Sequence, residues 1–344
     1  MRLPALARLL SRFGLDPASH SVHPHGSGLI NRTWVVKDEK DMPRFILQRL
    51  NTNVFKKPED VARNLDVLKA HLANQPKDYL LPLPIENLQG DATVIDDGGC
   101  YRLIPYVPDS MVHTVCTESS QAYEAALQFG MFTAVFDGMD TSRLLETIPG
   151  FHDLSHRWRQ FEEALEHGDP ARRKESSDAI EFLQSRRDIV DTYERIREDP
   201  SFRIRVTHHD TKISNVLFDR NGKGLCVIDL DTVMPGRFIS DVGDMYRTYL
   251  SPVSEEEPDV DRISIRPGFK KAIRDGYLVH MAAQLTSAES EHFEYAGEFM
   301  IYMQALRFLT DHLNRDAYYG ASYEGHNLVR ASNQVRLLQV FTES

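Results

Sequence analysis

Apolar residues follow two different spacings along this chain, and the change between them divides it. In the first hundred residues, short strand-like runs are separated by turn-forming residues. The runs are 33–36, 45–50, 92–95 and 100–104. One helical stripe interrupts them, in which Val61, Leu65, Leu68 and Leu72 follow Pro58, a favourable first-turn residue. The pattern predicts an antiparallel sheet with a packed helix.

From about residue 118 the apolar spacing becomes helical. The predicted helices are 119–136, 155–167, 176–197 and 298–313. A helix is also expected over the first thirteen residues, where Arg8 and Arg12 interrupt any signal-peptide core. We therefore expect an α+β fold with a small sheet-bearing lobe, 1–105, and a larger, mostly helical lobe, 106–344.

One stretch of the second lobe, 206–244, has a different pattern. Two short apolar runs, Val216–Phe218 and Leu225–Ile228, flank a turn-rich segment, 219–224, and so predict a hairpin. Centring the hairpin near Gly222 places Asn215 opposite Asp229, with their Cα atoms roughly 4.5–5.5 Å apart. The hairpin would therefore present an amide and a carboxylate at its open end.

These side chains suit a magnesium–phosphate site. Mg²⁺ prefers hard oxygen ligands and usually takes only one or two from protein, so Asn215 and Asp229 are the predicted ligands. Asp231 would share the face of Asp229 and could contact a second Mg²⁺ or the substrate. Asp210, on the preceding loop, could accept a hydrogen bond from an incoming hydroxyl group. Asp241 is expected to fix that loop through backbone hydrogen bonds.

A glycine-rich segment precedes the predicted sheet. Gly26 and Gly28, with Ser27 between them, could let backbone N–H groups approach a phosphate closely. A Gly-x-Gly pair alone is more often an ordinary turn, but here two strands and a helix follow it. Neither Gly-x-Gly-x-x-Gly nor a Walker motif is present, which argues against a P-loop enzyme.

The stretch from His208 to Asp229 resembles the catalytic and metal-binding loops of the aminoglycoside phosphotransferase and choline kinase superfamily. The string DTKISNVLFD, followed by CVIDLDTVMPG, is more similar to the N-acetylhexosamine 1-kinases. The resemblance implies a bilobal, protein-kinase-like fold that uses ATP and Mg²⁺. It also implies that Asp210 is the catalytic residue and that Asn215 and Asp229 bind the metal.

The same resemblance assigns nucleotide contacts in the small lobe. Such lobes normally carry a lysine on the third strand, and here the matching strand end has Gln48 and Arg49 instead. Because neighbours on a strand point to opposite faces, only one of the two should meet the phosphates. The hinge between the lobes would place backbone groups of Ile104 to Tyr106 against adenine.

The resemblance extends into the tail, where an arginine helps to hold the sugar. It implies that Arg307, Tyr318 and Tyr319 line the acceptor pocket, together with Asp311. Asn31, after the glycine segment, would add a contact to the acceptor. The alternative for Arg307 is an internal ion pair, because a buried arginine normally needs a partner.

Composition narrows the class of protein. The net charge of −11 argues against a nucleic-acid or membrane-surface binder. The three cysteines are far apart and form no Cys-x-x-Cys motif, which favours a cytoplasmic protein without zinc. No apolar run is long enough to cross a bilayer. Charge and cysteine spacing leave the oligomeric state open.

The sequence therefore predicts a phosphotransferase that moves the γ-phosphoryl group of ATP to the anomeric hydroxyl of an N-acetylhexosamine. A kinase of another small alcohol, such as an aminoglycoside, choline, homoserine or a different sugar, is the first alternative. The second is a nucleotide-binding pseudokinase that acts as a scaffold, which the missing lysine favours and the intact Asp210, Asn215 and Asp229 oppose.

Overall fold

The computed structural model describes residues 3–26, 31–73 and 79–344, and within them strands are concentrated before residue 113. Two of the predicted nucleotide contacts, Ser27 and Gly28, lie outside the described residues. The strands are β1 (His20–Pro24), β2 (Arg32–Asp38), β3 (Pro43–Arg49), β4 (Val94–Asp96), β5 (Gly99–Pro105), β6 (Met111–Val112), β7 (Arg205–Thr207), β8 (Val216–Phe218), β9 (Gly224–Val227) and β10 (Met234–Gly236).

Helices make up most of the rest of the described chain. They are α1 (Leu3–Arg12), α2 (Pro58–Leu72), α3 (Ser119–Val135), α4 (Leu154–His167), α5 (Pro170–Glu175), α6 (Ser177–Ser185), α7 (Asp188–Glu198), α8 (Phe238–Tyr249), α9 (Phe269–Met281), α10 (Ser287–Glu291), α11 (Tyr295–Leu313) and α12 (His326–Thr342). The predicted helix 176–197 is divided into α6 and α7. None of the helices in the described ranges is long and apolar enough to span a membrane.

The N-terminal sheet, β1 to β5, is antiparallel in the order β1-β2-β3-β5-β4. Its two faces differ in chemistry because side chains alternate along each strand. On one face, α1 packs through Leu9, Leu10 and Phe13 against an apolar cluster that includes Leu47 and Leu103. The opposite face carries polar side chains and is the face that meets the catalytic loops.

The helical part is held by one large apolar core. Helices α3 and α9 approach so closely that a Cβ on Gly130 would lie 2.5 Å from the carbonyl oxygen of Tyr277. A Cβ on Gly276 would lie 2.3 Å from the carbonyl oxygen of Tyr123. The pair of glycines permits the close backbone contact beneath the site.

The predicted hairpin is β8 and β9, but its register differs by one residue from the prediction. Val216 pairs with Val227, and the Ile228 N–H donates to the Asn215 carbonyl at 2.8 Å. Asn215 therefore faces Ile228 rather than Asp229. The cause is that the turn is centred on Asn221 instead of Gly222, which by itself would place Asn215 opposite Val227. A register irregularity after Leu217, which leaves Leu225 without a cross-strand partner, recovers one of these two residues. The turn itself is closed by the Asp219 N–H donating to the Lys223 carbonyl.

Candidate active site

The loop that follows β7, residues 208–212, carries the predicted catalytic residue Asp210 and is called the catalytic loop. Two aspartates of α8 anchor it. The carboxylate of Asp241 accepts hydrogen bonds from the N–H groups of His208, at 3.0 Å, and His209, at 2.8 Å. Asp244 accepts the Thr211 N–H at 2.8 Å. The anchoring role predicted for Asp241 is confirmed. Together, Asp241 and Asp244 hold the backbone on both sides of Asp210 to the buried helix α8.

The backbone turns sharply just before Asp210. His209 has φ of 65°, in the left-handed region that non-glycine residues rarely adopt. Its ring is buried and its Nδ1 lies 3.1 Å from the Thr207 carbonyl. Burial lowers the pKa of His209 to about 4, so the imidazole is neutral at pH 7. The strained turn presents the next side chain, Asp210, to the cleft.

Asp210 is surrounded by donors. The Asn215 Nδ2 donates to the Asp210 carbonyl at 2.8 Å and to its Oδ2 at 2.9 Å. The Nζ of Lys212 lies 2.9 Å from the same Oδ2. Burial disfavours the charged form of Lys212, but the nearby Asp210, Asp229 and Asp244 outweigh it and raise the lysine pKa. Among the described residues, no hydrogen bond reaches the Asp210 Oδ1.

Asp229 is placed differently from the other carboxylates. It lies directly after β9 with φ of 62°, and within the described ranges no side chain or backbone donor contacts its carboxylate. Burial, then the charges of Asp231 and Asp210, raises the pKa of Asp229 to about 7. A crowded carboxylate without a donor is suited to a cation, which would remove the repulsion.

The residues present fit a magnesium ion. Since the Asn215 amide nitrogen already donates to Asp210, its Oδ1 is left as an acceptor without a donor, beside the unpaired Asp229. No cluster of three or more His, Cys, Asp or Glu ligands occurs in the part of the chain that the structure describes. That is the expected situation for Mg²⁺, which keeps waters and phosphate oxygens as its remaining ligands.

Asp231, two residues after Asp229, contacts the N-terminal part of the chain. Its Oδ2 accepts from Asn31 Nδ2 at 2.7 Å, and its Oδ1 pairs with Arg102 Nη1. Both carboxylate oxygens are thus engaged, and Asp231 and Arg102 are almost fully buried. The structure therefore places Asn31 and Asp231 against each other, and not at a free metal or acceptor position.

Strand alternation decides between the two predicted phosphate contacts. Gln48 pairs directly with Arg102, and its Oε1 accepts from Arg102 Nε at 2.9 Å and Nη2 at 2.7 Å. Arg49 instead pairs with Tyr101, over whose ring its guanidinium lies, on the α1 side of the sheet. The structure brings Gln48 to the cleft and leaves Arg49 on the other face.

Three further predicted nucleotide contacts, Gly26, Ile104 and Tyr106, lie within the described residues. Gly26 has φ of 68° and open space around it, which suits a loop that closes over phosphates. Tyr106 donates its N–H to the Arg44 carbonyl at 2.9 Å. An adenine contact at Tyr106 would therefore have to use its carbonyl oxygen, while Ile104 lies within β5, paired with Ile46.

Arg307, Tyr318 and Tyr319 come together in one pocket of about 550 Å³. The predicted Asp311 also lines it, but its carboxylate is occupied by the N–H groups of Tyr318 and Tyr319 and by Asn327. The lining also includes a second arginine, Arg157, and a glutamate, Glu163. Asp210 is not among the residues that line this pocket.

A row of rings connects this pocket to the catalytic loop. The Arg307 guanidinium lies 5.3 Å from the Phe151 ring centroid, and Phe151 stacks on His152 at 4.4 Å. The His152 ring lies 5.1 Å from that of His209, the neighbour of Asp210. Arg307 is therefore separated from the catalytic loop by the rings of Phe151 and His152.

Comparison with known proteins decides the family. The model of the phosphotransferase enzyme family matches residues 21–277, which include the N-terminal sheet, Asp210, Asn215 and Asp229. The chain belongs to this family. The matched segment ends before Arg307 and the tyrosines, so it covers only the α4 side of that pocket.

Solved structures share the fold of this phosphotransferase. A microcompartment-associated aminopropanol kinase has a TM-score of 0.62 at 15% identity, covering 99% of this chain and 98% of that one. A spectinomycin phosphotransferase bound to ADP and spectinomycin has 0.61 at 12%, covering 98% of both chains. Choline kinase from Cryptosporidium parvum Iowa II has 0.60 at 15%, covering 95% and 90%. The kinase-like α+β fold is thereby confirmed.

Sequence reasoning missed three residues of this phosphotransferase site. Lys212 stands two residues after Asp210, a spacing that could have indicated a second charge at the loop. Arg102 and Arg157 had no such signal, because each reaches the site only through the pairing of strands or the packing of helices.

Proposed function

We propose that this phosphotransferase moves the γ-phosphoryl group of ATP to the anomeric hydroxyl of an N-acetylhexosamine, such as N-acetylglucosamine or N-acetylgalactosamine. The observation that carries the chemistry is the grouping of Asp210, Asn215 and the unpaired Asp229 on two strained turns. The acceptor class rests on the resemblance of the catalytic stretch and on the arginine pocket of α11.

The chain's own residues can supply what phosphoryl transfer requires, which is positioning and charge neutralisation. Asp210 orients the acceptor hydroxyl through its Oδ1 and takes the proton late in the transfer. Lys212 offsets negative charge that develops beside Asp210. Asn215 and Asp229 hold Mg²⁺, which neutralises the phosphate oxygens when bound.

The arginine pocket favours an acceptor that presents oxygen atoms over a cationic one. Among the described residues, no carboxylate lies within ion-pair distance of Arg157 or Arg307. Arg307 Nη1 donates only to Gln304, and Arg157 donates to backbone carbonyls of Gly150 and Phe151 and to Gln160. Burial and the charge of Arg307 lower the pKa of Arg157 to about 10.

Such a pair of guanidinium groups repels an ammonium acceptor, whereas sugar hydroxyls and an acetamide carbonyl can accept from both. Tyr318 and Tyr319, which line the same pocket, offer aromatic surfaces for a sugar ring. This supports a sugar acceptor over choline-like or aminoglycoside-like amines. The alternatives within the class remain other neutral sugars and small alcohols.

The nucleotide end of the proposal uses the N-terminal lobe. We propose that Gly26, Ser27 and Gly28 cover the phosphates, that backbone groups at Ile104 and Tyr106 meet adenine, and that the lobe boundary lies at about residue 105. The ADP that is bound in the spectinomycin phosphotransferase of the same fold supports ATP as the donor. A cytoplasmic location is also part of the proposal.

The function is tested by ADP release with MgATP and a panel of acceptors: N-acetylglucosamine, N-acetylgalactosamine, glucose, choline, aminopropanol and an aminoglycoside. The expected result is turnover with an N-acetylhexosamine and none with the amines. Turnover with an amine and with no N-acetylhexosamine would show that the acceptor is an amine and would contradict the proposed sugar. Absence of ATP consumption with every acceptor would favour the scaffold alternative.

A further inference from the structure

The phosphates of a bound nucleotide need a cation on the side of the N-terminal sheet, because the ammonium group of Lys212 is held at Asp210. The strand residue expected to supply it is Gln48, which is uncharged, and its neighbour Arg49 lies on the α1 face of the sheet. Another residue of the sheet must therefore bring a cation to the phosphates.

Arg102 on β5 meets the requirements of position. It is the direct cross-strand partner of Gln48, so its side chain leaves the sheet on the same face. It is 3% exposed and pairs with Asp231, two residues after the metal-side Asp229.

The remaining contacts orient Arg102 without using all its donors. Gln48 Oε1 accepts from Nε and Nη2, and Asp231 accepts from Nη1. A guanidinium has five N–H donors, so two remain. Gln48 in turn donates weakly to Thr33 Oγ1, at 3.5 Å. Gln48 therefore holds the plane of the arginine in place, as a side chain that supports a ligand-binding group would.

We propose that Arg102 is the phosphate-binding cation of the N-terminal sheet, held in position by Gln48 and Asp231. Its two remaining N–H groups donate to oxygens of the nucleotide's phosphates, and Gln48 is a positioning residue. Asp231 keeps the arginine charge balanced when no nucleotide is bound. This inference rests on the proposed use of ATP, but it does not depend on the identity of the acceptor.

The test is calorimetric binding of ADP and of adenosine, with Mg²⁺ and without any sugar. Arg102→Gln is expected to weaken ADP binding about 10- to 100-fold, as loss of charge-assisted hydrogen bonds does, and to leave adenosine binding unchanged. Arg49→Gln, the rival arginine on the other face, is expected to retain ADP affinity. Equal losses for adenosine and ADP, or a loss confined to Arg49→Gln, would overturn the assignment.

Because Arg102→Gln leaves Asp231 buried without its cation, a second comparison keeps the test valid if that variant does not fold. Asp231→Asn is compared with Asp231→Asn/Arg102→Gln, so that the effect of Asp231 cancels. The expected result is that ADP binds more weakly to the double variant than to Asp231→Asn. Equal ADP affinity in the two contradicts the inference.

A third variant moves the charge instead of removing it. Arg102→Gln/Gln48→Lys puts a cation on the cross-strand position, and it is expected to regain part of the ADP affinity. ADP affinity no better than that of Arg102→Gln would count against a role in charge. Since no sugar is present, failure of this inference is distinct from failure to phosphorylate N-acetylglucosamine, which is assayed separately.

Discussion

The two carboxylate oxygens of Asp210 have different surroundings. Its Oδ2 is engaged by Asn215 and lies beside Lys212, whereas no hydrogen bond from the described residues reaches its Oδ1. The engaged oxygen fixes the orientation of the group, and the other oxygen is available to an incoming hydroxyl. The contribution of this one side chain to turnover should therefore be separable from its contribution to structure.

We predict that Asp210→Asn lowers kcat roughly 10²- to 10⁴-fold, the range typical of a positioned general base, while ADP affinity changes little. An amide cannot take the hydroxyl proton, but it still fills the same space. Steady-state kinetics and calorimetry measure the two quantities. The control is Asp261→Asn in an exposed loop, which should retain wild-type turnover. Near-wild-type turnover of Asp210→Asn would contradict the assignment.

His209 gives a prediction for the pH dependence of stability. Its folded-state pKa of about 4 lies below the unfolded value of 6.5, so unfolding takes up a proton below pH 6.5. The stability that it contributes is complete above pH 6.5 and is lost as the pH falls towards 4. The loss at pH 5 relative to pH 7 is at most about 2 kcal/mol.

His209→Asn should flatten this part of the pH profile of the free energy of unfolding, measured by denaturant titration. Asparagine tolerates the left-handed backbone at this position better than most residues, so the turn is retained. An unchanged difference between pH 5 and pH 7 in the variant would show that other groups carry the acid sensitivity.

For single residues, the sequence predicted contacts only between site residues that lie close together along the chain. Asp210, Asn215 and Asp229 lie on one loop and hairpin, so their spacing was enough to group them. Arg102 pairs with Gln48 only after β3 and β5 align, and Asp231 meets Asn31 from 200 residues away. No pattern of residue types encodes those two contacts.

Among the elements, α8 anchors the loop that carries Asp210. Its Asp241 accepts two backbone N–H groups of the catalytic loop in a fully buried position. We predict that Asp241→Ala lowers the free energy of unfolding by roughly 2–4 kcal/mol, because two buried donors lose their acceptor. Thermal and denaturant unfolding test it, with Asp261→Ala as the control. A loss below 1 kcal/mol would contradict this anchoring role.

The crossing of α3 and α9 gives a second prediction for an element. Replacing a helical glycine by alanine usually stabilises by up to about 1 kcal/mol. At Gly130 the new Cβ would lie 2.5 Å from the Tyr277 carbonyl oxygen, too close for any real contact. We therefore expect Gly130→Ala to destabilise the protein by 1–3 kcal/mol, the usual cost of overpacking. Stabilisation in denaturant titrations would show that α9 can move away.

Element positions were largely predictable, whereas their register was not. The helix predicted after Pro58 is α2, and the helix predicted at 119–136 is α3, because both combine a clear stripe with clear ends. The pairing of Asn215 with Asp229 was wrong by one residue, because the turn is centred on Asn221 instead of Gly222 and a bulge after Leu217 compensates only part of the shift. Neither feature leaves a trace in the hydrophobic pattern. The prediction of one helix over 176–197 was also wrong, because the chain breaks at Arg186 and Arg187.

At the scale of the whole molecule, the order of sheet, helix, catalytic loop and hairpin identified the kinase-like fold from sequence. The family match over residues 21–277 and the shared fold of three small-molecule phosphotransferases confirm that order. The pocket that we propose for the acceptor lies only partly within the matched segment, because Arg157 is inside residues 21–277 and Arg307 is beyond them. We expect acceptor specificity to depend on how these two arginines pack together.

The central claim is that the product is a sugar 1-phosphate. The most direct measurement is ³¹P NMR of the product formed from MgATP and N-acetylglucosamine. The account predicts a phosphomonoester resonance coupled to the anomeric proton, formed by the wild-type protein and not at a detectable rate by Asp210→Asn. A phosphate coupled to any other sugar proton, or a product signal that persists in Asp210→Asn, would contradict it.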